Sequence, residues 1–242
     1  MDLVLPVSNM KKIYFDGCSY TWGQGLELYC NDLDVFGEHR MSKYVFTKND
    51  IDFITKNRYS AIVSNHFGLF EINKSVSGKS NGKILNDLKS IKIDDYEYCI
   101  IQLTHFGRFF TNGWEWQSLP ATIKSLISEK RITQDDVNYT VANVEKIQLE
   151  YFLELEKLFV NYPNKVKIIF HSDEWETILT IEQIEKYGIS VDGEYMIRKW
   201  ADKNKLFINQ QKEFKYHIAT SGDTHLIPEG HKLLAESIIK QL

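Results

Sequence analysis

The sequence predicts an α/β protein, a three-layer α/β/α sandwich around a central, mostly parallel sheet. Four short apolar runs have the length and composition of buried parallel strands, at residues 13–15, 70–72, 98–103 and 166–170. Helical patterns alternate with these runs at roughly 56–67, 82–90, 135–159 and 228–242. Strands that alternate with helices pair in parallel and are covered by helices on both faces, which is the basis of this prediction.

The length and composition favour one domain over residues 1–242. The chain has 242 residues, of which 43% are hydrophobic, enough to bury a substantial core. No low-complexity tract or Pro/Gly-rich linker marks a boundary, and residues 1–9 are expected to be an extension outside the fold. The formal net charge of -4 provides no basic field to attract nucleic acid, which is therefore not expected as a partner.

The sequence indicates neither membrane insertion nor a structural metal. No run approaches the ~20 apolar residues of a membrane span, and no export signal is visible. We therefore expect a soluble protein without a membrane partner, cytoplasmic by default. The three cysteines Cys18, Cys30 and Cys99 show no C-x-x-C spacing, so reduced thiols are expected. Composition does not predict the oligomeric state.

Polar and nucleophilic residues follow each of the predicted strands. Ligands bind outside the carboxyl ends of strands in such sheets, so these residues are the candidate site. They are Asp16-Gly17-Cys18-Ser19 after the first run, residues 73–81 after the second, Thr104-His105 after the third and His171-Ser172-Asp173 after the fourth.

Ser19 is the candidate nucleophile. It follows a strand and Gly17, and the glycine allows a tight turn that lifts the serine hydroxyl above the sheet edge. A serine needs an imidazole to accept its proton and an acid to orient that imidazole. Asp223 and His225, just before the C-terminal helix, can supply both, whereas His231 is expected to be structural. The alternative is that Ser19 only caps a turn or helix.

These motifs together resemble the SGNH (GDSL-like) hydrolase family. Residues 17–23, Gly-Cys-Ser-Tyr-Thr-Trp-Gly, match its first block, Gly-Asp-Ser-x-Thr-x-Gly, except at Cys18. Residues 76–81 resemble the second block, and Asp223 with His225 resembles the last, although the family spacing there is Asp-x-x-His. The resemblance spans residues 13–240 and implies a flavodoxin-like SGNH hydrolase fold.

The resemblance also implies the roles of the site residues. Ser19, His225 and Asp223 would form a catalytic triad for an acyl-serine mechanism that requires no cofactor. The oxyanion hole would consist of the N–H groups of Ser19 and Gly78, with the hydroxyl of Thr104 replacing the asparagine of the family's third block, which this chain lacks. Loss of one such donor costs roughly 100- to 1000-fold in rate.

The expected activity is ester hydrolysis, and the expected substrate is a small-molecule or glycan ester. A short acyl group on a carbohydrate is favoured, because Arg108, Trp114 and Trp116 follow the third strand and can line a sugar-binding rim. Two alternative functions remain open. One is a catalytically weak or inactive binding or structural module. The other is a metal-dependent hydrolase, with ligands drawn from Asp16, His105, His171, Asp173, Asp223 and His225.

Overall fold

A four-stranded parallel sheet forms the centre of the protein. The computed structural model describes residues 10–29, 47–111, 113–117, 120–211 and 224–242. The sheet strands are β1 (Lys12–Asp16), β2 (Phe70–Asn73), β3 (Tyr98–Leu103) and β6 (Val166–Phe170), in the spatial order β2-β1-β3-β6. All three strand pairs are parallel, so the predicted sheet type is confirmed, and each of the four predicted strands is present.

Helices cover both faces of this sheet. The α-helices of the described residues are α1 (Ser19–Trp22), α2 (Lys48–Asn57), α3 (Tyr59–Phe67), α4 (Asn81–Lys89), α5 (Pro120–Ser128), α6 (Gln134–Ala142), α7 (Val144–Phe159), α8 (Ile181–Tyr187), α9 (Ile197–Lys203) and α10 (Pro228–Ile239). Short 3-10 helices occur at Leu26–Tyr29, Ile93–Asp95, Asp173–Thr177 and Ile208–Gln210.

Alternation of side chains along each strand produces two cores. Tyr14 packs on one face with residues of α4 and α7, such as Ile84 and Phe152. Its neighbour Phe15 packs on the other face with residues of α3 and α10, such as Val63 and Leu234. Successive strand side chains point to opposite faces, so each face needs its own helical layer. The α/β/α sandwich predicted from the sequence is confirmed.

Two details of the helix prediction were wrong. The helix expected at 135–159 is two helices, because it is interrupted at Asn143, whose side-chain amide donates to the carbonyl of Tyr139 at 2.8 Å. Such local side-chain bonds compete with continued helix. The helix expected at 56–67 is likewise divided at Arg58, whose backbone is extended. An antiparallel hairpin follows β3 in the chain and consists of β4 (Arg108–Thr111) and β5 (Trp114–Gln117).

The order of the strands determines where a site can form. β2 pairs with β1 on one side and β3 pairs with it on the other, so the strand order changes direction at β1. Such a switch point opens a crevice at the carboxyl ends of the strands. Among the described residues, no helix is long and apolar enough to span a membrane.

Candidate active site

Ser19 lies at this crevice, at the first position of α1. Only Gly17 and Cys18 separate α1 from β1, and α1 is followed by its C-cap Gly23, which has a left-handed backbone with φ 91°. Gly17 is required by close approach, because a Cβ at this position would lie 2.7 Å from Cβ of Gln102. The backbone N–H of Ser19 is at a helix start, where no intrahelical acceptor exists. It is therefore suited to donate to an anion.

The turn that carries Ser19 is fixed from β3. Oε1 of Gln102 accepts from the backbone N–H of Thr21 at 3.1 Å and from its hydroxyl at 2.6 Å. The Thr21 hydroxyl also lies 2.7 Å from the Tyr59 hydroxyl. These contacts hold Ser19 in one backbone position, which is the preorganisation that a nucleophile needs.

The Ser19 hydroxyl itself is shielded and weakly bonded. The residue is 3% exposed, and within the part of the chain that the structure describes, the hydroxyl's hydrogen-bond contact is Sγ of Cys18 at 4.0 Å. The structure therefore contains no direct hydrogen bond from Ser19 to His225. Catalytic hydrogen bonds are often long in a ligand-free site and shorten when substrate binds.

His225 lies above the segment that follows Ser19. Its ring is 5.5 Å from the ring of Tyr20, and a Cβ on Gly25 would lie 3.1 Å from its Cβ. The Tyr20 hydroxyl donates to the carbonyl of Thr224, so the helix that begins at Ser19 is bonded directly to the segment of His225. The N–H of Ile208 donates to the His225 carbonyl at 3.0 Å, which fixes the other side of this segment. Asp223, the predicted acid of the triad, lies outside the described residues.

Gly78 lies on a loop that runs beside the turn of Ser19. The N–H of Val76 donates to the carbonyl of Gly17 at 3.3 Å, and the Ser77 hydroxyl donates to Gln24 at 2.6 Å. Gly78 has a left-handed backbone with φ 82°, which glycine adopts without strain. The structure thus brings the loop after β2 next to Ser19.

A buried ion pair also attaches this loop to β1. Nζ of Lys79 lies 2.5 Å from Oδ1 of Asp16 and 2.7 Å from Oδ2 of Asp87, and it donates to the carbonyl of Lys74 at 3.0 Å. Burial raises the pKa of Asp16 to about 6, against the lowering effect of Lys79. Because Asp16 is the last residue of β1, this pair connects the strand below Ser19 to the loop of Gly78.

Thr104 is held by neighbouring groups. It is 0% exposed, its backbone N–H donates to Oδ1 of Asn81 at 2.7 Å, and its hydroxyl accepts from Nη1 of Arg108 at 3.1 Å. The hydroxyl hydrogen remains available to an acceptor that reaches it. Asn81, the last residue of the candidate stretch 73–81, contributes by joining the start of α4 to the end of β3.

Two histidines follow β3 and β6. Nδ1 of His105 accepts from the N–H of Gly107 at 3.2 Å, which assigns the ring proton of the neutral form to Nε2. Burial, followed by the charge of Arg108, lowers the pKa of His105 to about 4. His171 is 6% exposed, and its ring packs edge-on against Tyr20 at 4.6 Å. Burial places its pKa well below the ordinary range, so both imidazoles are neutral near pH 7.

The predicted sugar rim is only partly in place. Trp116 is buried, packs 4.6 Å from the ring of Phe109, and donates its indole N–H to Thr111. It is therefore a core residue of the hairpin. Trp114 is exposed, and the guanidinium of Arg131 lies 4.0 Å above its ring. Arg108 starts β4 beside Thr104 and is the member of the predicted rim nearest to the strand ends.

The residues proposed for a metal do not form a ligand cluster in the described part of the chain. No group of three or more His, Cys, Asp or Glu side chains there is arranged to hold an ion. Asp16 is bonded to Lys79, as described above, and Asp223 lies outside the described residues.

Comparison with known proteins gives structural neighbours only. No protein-family model matches the chain, and no curated protein matches it either. Similar solved structures include a protein assigned to the lipolytic G-D-S-L family from Desulfitobacterium hafniense, with 12% identity, 96% coverage of this chain and 99% of that one, and a TM-score of 0.41. Another is the acetyl xylan esterase Est2A of Butyrivibrio proteoclasticus, with 12% identity and a TM-score of 0.47. The match covers 98% of this chain and 64% of the Est2A chain.

A further neighbour is a catalytic mutant of the acetylxylan esterase Axe2 from Geobacillus stearothermophilus. It has 15% identity, coverage of 96% of this chain and 93% of that one, and a TM-score of 0.37. At these identities the similarity concerns the fold.

Proposed function

We propose that the protein is a serine esterase with Ser19 as nucleophile and His225 as its base. The observation that carries this proposal is the position of Ser19: it starts a helix directly after the central strand, at the switch point, with His225 above the next residue, Tyr20. Asp223 is proposed as the acid that orients His225, from its spacing in the sequence.

The proposed reaction has two steps. Oγ of Ser19 attacks the ester carbonyl carbon while His225 accepts the hydroxyl proton, and the tetrahedral intermediate then expels the alcohol, which takes that proton from His225. Water next attacks the acyl-serine, with His225 accepting its proton and returning it to Ser19 Oγ as the acid leaves. The N–H groups of Ser19 and Gly78 and the Thr104 hydroxyl would donate to the oxyanion.

The proposed substrate is a short acyl ester on a carbohydrate. Supporting this choice, a cavity of about 340 Å³ lies beside Thr224, the residue before His225, and its lining combines charged and polar groups with one aromatic ring. Polar and charged groups that can bind hydroxyls suit a sugar better than a lipid chain. The lining residues are Asp173, Arg198, Lys199, Asp202, Phe207, Asn209 and Thr224.

A fluorescent serine-directed phosphonate tests the nucleophile directly. The wild type should be labelled at Ser19, as mapped by peptide mass spectrometry, and should hydrolyse p-nitrophenyl acetate. Ser19→Ala should abolish labelling, and both Ser19→Ala and His225→Ala should lower turnover by at least about 1000-fold.

Two exposed residues provide matched controls. Ser128 at the end of α5 and His66 in α3 are both exposed, so Ser128→Ala and His66→Ala should leave labelling and turnover unchanged. Labelling at a serine other than Ser19, or turnover that survives Ser19→Ala, would contradict the proposal.

A non-catalytic binding module is the second candidate. It is favoured by the burial of Ser19, which is 3% exposed, and by the contact of the Thr104 hydroxyl with Arg108. A wild type that takes no label and releases no acid from any ester, yet binds an acetylated glycan, would favour this module over the esterase.

A further inference from the structure

An unpaired arginine lies beside the candidate site. Arg108 is half-buried, its Nη1 donates to the Thr104 hydroxyl, and its Nε is buried without a hydrogen-bond partner. Among the described residues, no carboxylate lies within ion-pair distance of its guanidinium. A buried N–H donor of a charged group costs free energy when it lacks an acceptor, so this edge of Arg108 is suited to an anionic ligand.

A second unsatisfied group lies in the same place. His171 is 6% exposed, and neither of its ring nitrogens has a hydrogen-bond partner within the described residues. Its ring is 6.4 Å from that of His105, whose Nδ1 accepts from Gly107 and whose Nε2 therefore carries the ring proton. Two neutral imidazoles thus accompany the charged guanidinium, and each can donate one hydrogen bond.

The group is next to the nucleophile. His171 packs 4.6 Å from Tyr20, the residue after Ser19, and Arg108 is bonded to Thr104 at the end of β3, the strand that pairs with β1. The nearby acid, Glu174, is occupied at Oε2, which accepts from the N–H of Phe106 at 2.9 Å and from the Ser172 hydroxyl at 2.8 Å.

We propose that Arg108, His105 and His171 form a subsite that binds a carboxylate of the substrate, so that the preferred esters are carried by acidic sugars. This inference rests on the proposed esterase function. A carboxylate is favoured because its two oxygens match the planar edge of a guanidinium, whose Nε is free here. The neutral imidazoles supply donors without adding charge that would have to be buried.

Matched substrates test the subsite through turnover. The wild type should release acetate from an O-acetylated methyl glucuronoside with a kcat/KM at least about 10-fold above that for the O-acetylated methyl glucoside. Arg108→Gln should lower kcat/KM about 10- to 100-fold more for the acidic substrate than for the neutral one, and this difference should lie mainly in KM. The control Arg131→Gln alters an exposed arginine near the same hairpin and should change neither.

A binding measurement separates this inference from the proposed function. Methyl glucuronoside and methyl glucoside, which contain no ester, are titrated calorimetrically into wild type and Arg108→Gln, after circular dichroism has verified that the variant is folded. If the wild type binds the acidic glycoside and Arg108→Gln does not, the subsite is supported, whether or not any ester is hydrolysed. A wild type that binds this glycoside but hydrolyses no ester would overturn only the esterase proposal. Equal or absent binding of both glycosides by a wild type that hydrolyses p-nitrophenyl acetate would overturn the subsite alone.

Discussion

Lys79 and Asp16 form a buried ion pair, with Nζ and Oδ1 2.5 Å apart, that connects the loop of Gly78 to the strand below Ser19. Removal of one member leaves the other charge buried. We expect Lys79→Met to lower the free energy of unfolding by about 3–5 kcal/mol, as for other broken buried pairs. The double variant Asp16→Asn/Lys79→Met should be more stable than Lys79→Met alone, as measured by urea denaturation. Strictly additive effects of the two substitutions would contradict this coupling.

Gly17 should tolerate no side chain. A Cβ there would lie 2.7 Å from Cβ of Gln102, so Gly17→Ala must displace the turn of Ser19 or β3. We expect a loss of stability of about 1–3 kcal/mol, together with slower phosphonate labelling. Gly113→Asn is the control, because nothing lies within 4 Å of its added Cβ and asparagine tolerates left-handed backbone. Normal labelling of a stable Gly17→Ala protein would show that the turn is more adaptable than this contact indicates.

Cys18 lies where the resembled family has aspartate, and its surroundings are apolar. It is buried in the core that contains Phe15 and Tyr59. Cys18→Asp should therefore destabilise the protein by at least about 2 kcal/mol, because desolvation of the carboxyl costs more than the Ser19 hydroxyl and the N-terminus of α1 return. Cys18→Ala should lower stability less and retain labelling of Ser19. Thermal unfolding of the two variants measures the difference, and equal melting temperatures would mean that the carboxyl finds a partner.

Stability should fall on acidification from pH 6.5 towards 4. Burial lowers the pKa of His231 to about 3 and of His105 to about 4, and it also lowers that of His171, whereas the unfolded histidines titrate near 6.5. In this window the unfolded chain binds protons that the folded one does not, so unfolding is favoured as pH falls. Asp16, with a pKa raised to about 6, contributes with the opposite sign but is one group against three.

His231 allows this prediction to be tested at one position. Its Nδ1 accepts from the N–H of Tyr59 at 3.3 Å, and Asn can present an oxygen at a similar place. His231→Asn should reduce the slope of unfolding free energy against pH by about 1.4 kcal/mol per pH unit between pH 4 and 6. This is the contribution of one proton that only the unfolded chain binds. Urea titrations at several pH values measure the slope. An unchanged slope would mean that His231 takes up its proton in the folded state.

The sequence predicted the sheet well because buried parallel strands are continuous apolar runs. Residues 98–103 and 166–170 were placed to the residue for this reason. The helix break at Asn143 was missed because the apolar periodicity continues across it, whereas the break is local to Asn143, whose backbone has φ -122° and ψ 23° and whose side chain bonds to Tyr139. Periodicity averages over a window and does not detect one such bond.

The candidate site was predictable only in part. Ser19, Gly78 and His225 lie in recognisable local motifs, and the structure places all three near the crevice, although their roles stay predictions. The contacts that hold the site in position join distant parts of the chain. Gln102 holds the Ser19 turn through Thr21, and Lys79 bonds to Asp16, across separations of 81 and 63 residues. Such contacts depend on which strands become neighbours, and local sequence patterns contain no record of that.

The bond from the Tyr20 hydroxyl to the Thr224 carbonyl joins residues 204 positions apart. The ribosome adds Thr224 204 residues after Tyr20, so the nascent chain carries an incomplete crevice over that whole interval. Closing so large a loop also delays this contact during folding. The crevice should therefore be completed late in folding, when α10 and the segment of His225 reach the sheet.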